Sequence, residues 1–199
     1  FTVIALSIER YFALRTAFGK GSLTKFVQEV KAAVKANDFA KARALCDKQQ
    51  GSVANVVLAS VNTYSEMENT TGIKKSQKVA KIQQAHEEAT QLEMPTLQMN
   101  LPIIATIVTL GTLTALFGTV LGMIGSFQAL AAGGGGDSLA LSMGISEALV
   151  NTASGIATSW VAVVAYNTYT NKIDKLTYAL DEVGYTIAQT YEANHTEEA

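Results

Sequence analysis

Two apolar runs that lack any charge decide what this chain can fold into. Residues 94–136 contain no Asp, Glu, Lys or Arg, and neither do residues 148–171. Only Asp137 and Glu147 stand between them. A helix needs about 20 predominantly apolar residues to cross the hydrocarbon core of a bilayer. Each run is long enough, so the sequence predicts two membrane-spanning helices joined by a short link around Gly133–Gly136.

The whole-chain averages, 48% hydrophobic and a net charge of −2, look ordinary because they blend two unlike parts. Residues 9–93 are rich in charge and residues 94–171 nearly lack it. A soluble domain of this length would spread its charge over all its surface helices. No sustained alternation of apolar and polar residues marks a strand, so the class is an all-α membrane protein. Residues 1–8 are uncharged and then meet Glu9, Arg10, Tyr11 and Phe12. We read them as the end of a first membrane helix, since basic and aromatic residues mark the membrane boundary.

The expected organisation follows. Residues 1–12 end a first transmembrane helix, truncated here, and residues 13–93 form a cytoplasmic helical region. Residues 94–131 make the second transmembrane helix, 132–138 a periplasmic link, 139–171 the third transmembrane helix, and 172–199 a cytoplasmic helical extension and tail. All 15 Lys and Arg lie within residues 10–81 or at Lys172 and Lys175. The positive-inside rule therefore puts residues 13–93 and 172–199 in the cytoplasm and the glycine-rich link outside.

Within the charged region, Ser22 or Thr24 starts a helix that reaches about Ala36. Asp38 caps a helix over residues 39–49, and a further helix runs from Val53 to about Glu68. Val53, Val56, Val57, Ser60, Val61 and Tyr64 share one of its faces. These short amphipathic helices are expected to pack as a small bundle. A polar helix from Lys74 then carries an apolar seam of Val79, Ile82, Ala85, Ala89 and Leu92. Pro95 and Pro102 predict a bend where it meets the membrane. After the third membrane helix, Ile173, Leu176, Leu180, Val183 and Ile187 keep helical register, and the tail from Asn194 is expected to fray. His86, among Gln84, Glu87 and Glu88, and His195 have no second ligand set at metal-site spacing and are each expected to be solvated, and the lone Cys46 is expected to be an incidental thiol.

Polar residues inside the apolar runs carry the functional signal. Thr112, Thr119 and Ser126 recur every seven residues and share one face, with Gly111, Gly118 and Gly122 beside them. Glycines at this spacing allow helices close approach in lipid. On the third helix Glu147, Asn151, Ser154 and Thr158 form a polar stripe of about three turns, with Thr152 and Ser159 in a second line. Isolated hydroxyls in membranes commonly bond their own backbone. A carboxylate costs a few kcal/mol or more unless it meets water or a partner. Glu147 lies either in the outer headgroup zone or beside a lined interior, and the stripe below it favours the second. No phosphate-binding loop, Ser-His-Asp set, cysteine pair or basic aromatic surface for nucleic acid is present, so an enzyme reading has no support.

The run from Leu116 to Met123 resembles the second-helix signature of the MotA/TolQ/ExbB proton-channel family. The run from Ile145 to Gly155 resembles its third-helix motif, and Ala165-Tyr166-Asn167 its usual end. Within the family the likeness is to the ExbB type first and then the TolQ type. The resemblance implies a multi-pass subunit of the bacterial inner membrane, a homo-oligomer, as a pentamer, around a single-span ExbD/TolR-like partner whose membrane Asp carries the ion. It implies a molecular motor driven by the proton motive force and coupled to a TonB-like periplasm-spanning protein. Envelope integrity or motility is the alternative task, and a structural scaffold without ion flux the second alternative. Thr119 and Thr152 match the family's pore-lining threonines and Glu147 its glutamate. Thr112, Asn151, Ser154 and Thr158 extend that pathway, while Gly118, Gly122 and Gly155 serve helix packing. No cofactor is implied beyond the transported proton, with sodium left open. The family usually has proline at the positions of Thr112 and Val161, so straighter helices are expected here.

Overall fold

The computed structural model describes residues 1–132 and 138–195, and these form helices and turns with no strand. The helices are α1 (Thr2–Ala17), α2 (Leu23–Lys35), α3 (Phe39–Gln49), α4 (Gly51–Asn69), α5 (Lys75–Gln98), α6 (Leu101–Ala132) and α7 (Ser138–Asn194). The expected link around Gly133–Gly136 and the last four tail residues lie outside the described residues. Two compact units emerge, one made of Phe1–Ile8 with Asn100–Thr170 and the other of Glu9–Met99 with Asn171–Ala199.

The second unit is a helical bundle with an ordinary hydrophobic core. Asp38 caps α3 through its side chain, which accepts a hydrogen bond from Lys41 N at 3.0 Å. Ser22 occupies the N-cap of α2 in extended backbone, but its hydroxyl makes no capping bond. Gln50 alone separates α3 from α4. Val30 and Val34 of α2, Val53 and Val57 of α4, and Leu176, Leu180 and Val183 of α7 are fully buried. Burial of each such side chain contributes about 1.5–3 kcal/mol. The register Ile173, Leu176, Leu180, Val183 and Ile187 is therefore the core face of α7. Cys46 is buried in this core, and burial, with Asp47 adding to it, pushes its thiol up to about 12.

The end of α7 is anchored. Tyr191 packs edge-on against Tyr64 at 4.8 Å, donates its hydroxyl to Met67 O at 3.2 Å and stacks on His195 at 4.2 Å. Asn194 donates to Asn37 Oδ1 at 2.8 Å. The expected fraying thus does not begin at Asn194, and the half-buried His195 rests on an aromatic partner.

Two further expectations change in α5. Its buried face holds Ile82, His86 and Leu97, whereas Leu92 is 80% exposed. At 100° per residue, positions 86 and 97 fall within roughly 60° of Ile82, while Leu92 falls roughly 80° away on the other side. His86 is 8% exposed, not solvated, and its Nδ1 lies 2.9 Å from Ser60 Oγ. The two prolines flank a break in the helix. Pro95 sits inside α5, and helix is interrupted at Met99 and Asn100, where Asn100 adopts φ 65°. Asn tolerates that left-handed backbone. Pro102 lies in the first turn of α6, where its missing N–H costs nothing.

Candidate functional site

The first unit is built on the pairing of α6 with the first part of α7. Small residues make the pairing possible. A Cβ added at Gly155 would overlap that of Ala115 and sit 2.7 Å from Gly111 O. One at Gly122 would lie 3.1 Å from the Ala148 Cβ, and one at Gly118 would meet Asn151 at 3.4 Å. Gly144 leaves room for Ser126 in the same way. Partner numbers fall along α7 as they rise along α6, so the helices run antiparallel with their backbones in close contact. Such contact is how helices associate where no hydrophobic drive separates them from lipid.

Hydroxyls sit at intervals along this seam. Ser159 Oγ donates to Val108 O at 2.7 Å and lies 2.9 Å from Thr112 Oγ1. With the Ser159 proton used, Thr112 is the donor of that pair. Two turns along, Thr119 and Thr152 meet hydroxyl to hydroxyl. Thr119 Oγ1 is also 3.0 Å from Ala115 O and 3.2 Å from Ala148 O, and Thr152 Oγ1 is 3.4 Å from Ala148 O. One proton bridges the pair and the other has a carbonyl to go to. At the third level Ser126 donates to Gly122 O at 2.8 Å.

Of the residues singled out in the sequence, this arrangement unites Thr112, Thr119 and Thr152 with Gly118, Gly122 and Gly155. Glu147, Asn151, Ser154 and Thr158 form an exposed stripe on α7 beside the seam, with Asn151 against Gly118 and Thr158 against Gly111. Ser154 donates to Val150 O at 2.8 Å and Thr158 to Ser154 O at 2.9 Å, the back-bonding pattern of helical hydroxyls. Sequence reasoning overlooked Gly144, Ala115 and Ala148. The four-residue spacing of Gly144 and Ala148 was the available signal.

The stretches Lys75–Ala132 and Ser138–Asn194 are long and apolar enough to cross a membrane, and only 11% of each apolar window is buried within the chain. A soluble core helix would be mostly covered. Instead Leu116, Phe117, Val120, Leu121, Ile124 and Phe127 of α6 are exposed. Among the described residues no three His, Cys, Asp or Glu side chains come together to hold a metal ion. The seam itself offers hydroxyls that can bond a carboxylate, an ion or water, but none that ionises near neutral pH.

Known proteins similar to this chain include two TolQ proteins and an ExbB-like protein. The TolQ protein of the Tol-Pal system in Pseudomonas aeruginosa is 29% identical over 143 residues, 71% of this chain and 59% of that protein. A putative biopolymer transport protein of Synechocystis, ExbB-like 3, is 34% identical over 87 residues, 43% of this chain and 41% of that protein. The TolQ protein of Haemophilus influenzae is 32% identical over 84 residues, 42% of this chain and 37% of its own length. The chain thus spans roughly half the length of the curated relatives it matches. Residues 50–182, which include α4, α5, α6 and most of α7 with the entire hydroxyl seam, match one family pattern, and the chain belongs to the MotA/TolQ/ExbB proton channel family.

Proposed function

We propose that this chain is the multi-pass, ion-conducting subunit of an inner-membrane machine driven by the proton motive force. It works as one of several copies, five in our reading, around a single-span partner that supplies a membrane aspartate. The observation that carries this reading is the contact of Thr119 and Thr152 between the two charge-free runs, 94–136 and 148–171. A pair of hydroxyls there can orient an acid or an ion from a neighbouring helix but cannot carry a proton itself. Thr112 continues the line, and Glu147, Asn151, Ser154 and Thr158 present a second polar line for that neighbour. Glu147 tunes ion access from the periplasmic side. Residues 13–93 and 172–199 are cytoplasmic in this reading, and residues 1–12 end a first span.

The machine serves TonB-dependent outer-membrane uptake, with a TonB-like protein as its periplasmic client. The longer match to a TolQ protein supports an envelope-integrity role as the second reading. Purification from the native membrane in mild detergent, followed by weighing of the intact complex, tests both. The expected result is several copies of this chain with a single-span protein carrying a membrane aspartate, whose periplasmic domain identifies the client. A homo-oligomer lacking such a partner would overturn the channel reading in favour of a scaffold. Thr152→Val is expected to lower ion flux several-fold while leaving the complex mass unchanged, because Thr119 keeps its bonds to Ala115 O and Ala148 O.

A further inference from the structure

We infer that a basic groove at the end of α1 binds the phosphate head group of an anionic phospholipid. The inference rests on the membrane-spanning reading above and adds a ligand to it. The groove, about 1070 Å³ in volume, lies wholly within the second unit and is lined by Tyr11, Phe12, Arg15, Lys20, Gly51 and Lys172, among others. Three cationic side chains line it, and no acidic one does. Lys172 Nζ lies 5.6 Å from the centroid of the Tyr11 ring, which fixes a cation beside an aromatic face.

The wall that carries Lys20 is firmly built. Lys20 N donates to Gln49 O at 2.6 Å, and Gln49 Nε2 donates to Phe18 O at 2.7 Å. Gly51 has φ 82°, and a Cβ there would lie 2.6 Å from the carbonyl oxygens of Thr16 and Ala17. Only glycine fits, so the backbone at the end of α1 stays against the start of α4. That start opens into the groove, and the side chain of its N-cap residue Gln50 makes no capping bond. The carbonyl end of α1 lines the same groove, so the two helix ends offset one another and the positive character comes from the three side chains.

The rim identifies the source of the phosphate. Tyr11 and Phe12 are 48% and 59% exposed. A free phosphate ion gains nothing from exposed aromatic rings, whereas a lipid places its glycerol and upper acyl carbons beside its phosphate. In the sequence Tyr11, Phe12 and Lys172 stand where the charge-free runs stop, at residues 9 and 172. Aromatic and basic residues together are the mark of the membrane–water interface, and clustered cations there select anionic lipids.

The test uses the complex purified from its native membrane and placed in nanodiscs containing phosphatidylcholine and phosphatidylglycerol. Native mass spectrometry counts the lipids retained. Phosphatidylglycerol is expected to be retained in preference, and the triple variant Arg15→Gln, Lys20→Gln, Lys172→Gln is expected to lose roughly tenfold or more of that preference. A control variant with Lys74, Lys75 and Lys78 changed to Gln keeps it. Equal losses in both variants would show a diffuse charge effect and overturn the groove. Equal retention of the two lipids by a complex that inserts normally into phosphatidylcholine nanodiscs would overturn the lipid site while leaving the membrane-spanning reading intact. Failure to insert at all would overturn both. Displacement of phosphatidylglycerol by millimolar inorganic phosphate would overturn the lipid as the source and assign the groove to the free ion.

Discussion

His86 shows how one residue in the bundle ties stability to pH. Ser60 Oγ donates to Val56 O at 3.0 Å, so the His86 Nδ1–H donates to Ser60 and Nε2 is left with its lone pair. Nε2 is buried without a hydrogen-bond partner and faces Gly184, where even a Cβ would come within 2.5 Å of it. Protonation would bury a charge and an unsatisfied donor together. Burial accordingly lowers the His86 pKa, against the upward pull of Asp181 and Glu87. A histidine lowered in this way binds its proton more readily in the unfolded chain. Its contribution to stability is complete above the ordinary histidine value of about 6.5 and is lost as pH falls from there towards the lowered folded value. Thermal melts between pH 7.5 and 5 should show a fall for the parent protein and a shallower fall for His86→Leu. Parallel curves would show that His86 does not titrate during unfolding. The sequence marks His86 as solvated because Gln84, Glu87 and Glu88 surround it. What buries it is Gly184, which lies far along the chain and makes room for the ring by having no side chain.

At the scale of the element, the α6–α7 pairing depends on what is absent from its side chains. Gly155→Ala would drive a methyl into Ala115 and towards Gly111 O. Overpacking of this kind costs about 1–3 kcal/mol. Gly125 lies on the same helix as Gly111 with nothing within 4 Å of an added Cβ. Gly125→Ala is therefore expected to be neutral or slightly stabilising, since alanine is the better helix former. Unfolding in detergent followed by circular dichroism distinguishes them: Gly155→Ala should lower the midpoint and Gly125→Ala should not. Equal midpoints would mean that the helices do not pack along this line. The heptad of Thr112, Thr119 and Ser126 is legible in sequence because a face is a local property of one helix. Its partner is not, since a hydroxyl face suits another copy or another protein as well as α7. The uninterrupted runs of α6 and α7 are legible too, given that the chain lacks proline at Thr112 and Val161.

For the whole molecule, the decisive quantity is where a proton can reside. Between Asn100 and Thr170 the carboxylates are Asp137 and Glu147 alone, and Glu147 is exposed on α7. The seam between the helices holds threonine and serine hydroxyls, which stay protonated at any physiological pH. A proton crossing beside this seam therefore needs an acid that the seam itself does not supply. The broad apolar face formed by Leu116, Phe117, Val120, Leu121 and Ile124 leaves ample surface for a helix that would bring one. The chain reconstituted alone into vesicles loaded with a pH-sensitive dye is expected to leak protons no faster than protein-free vesicles. Co-reconstitution with a single-span partner bearing a membrane aspartate should produce flux, and changing that aspartate to Asn should remove it. Flux from the chain alone that disappears in Glu147→Gln would make Glu147 the proton carrier and end the requirement for a partner's acid. Flux from the chain alone that survives Glu147→Gln would mean water conducts through the assembly without any carrier group, and the hydroxyl seam would then be only a packing device.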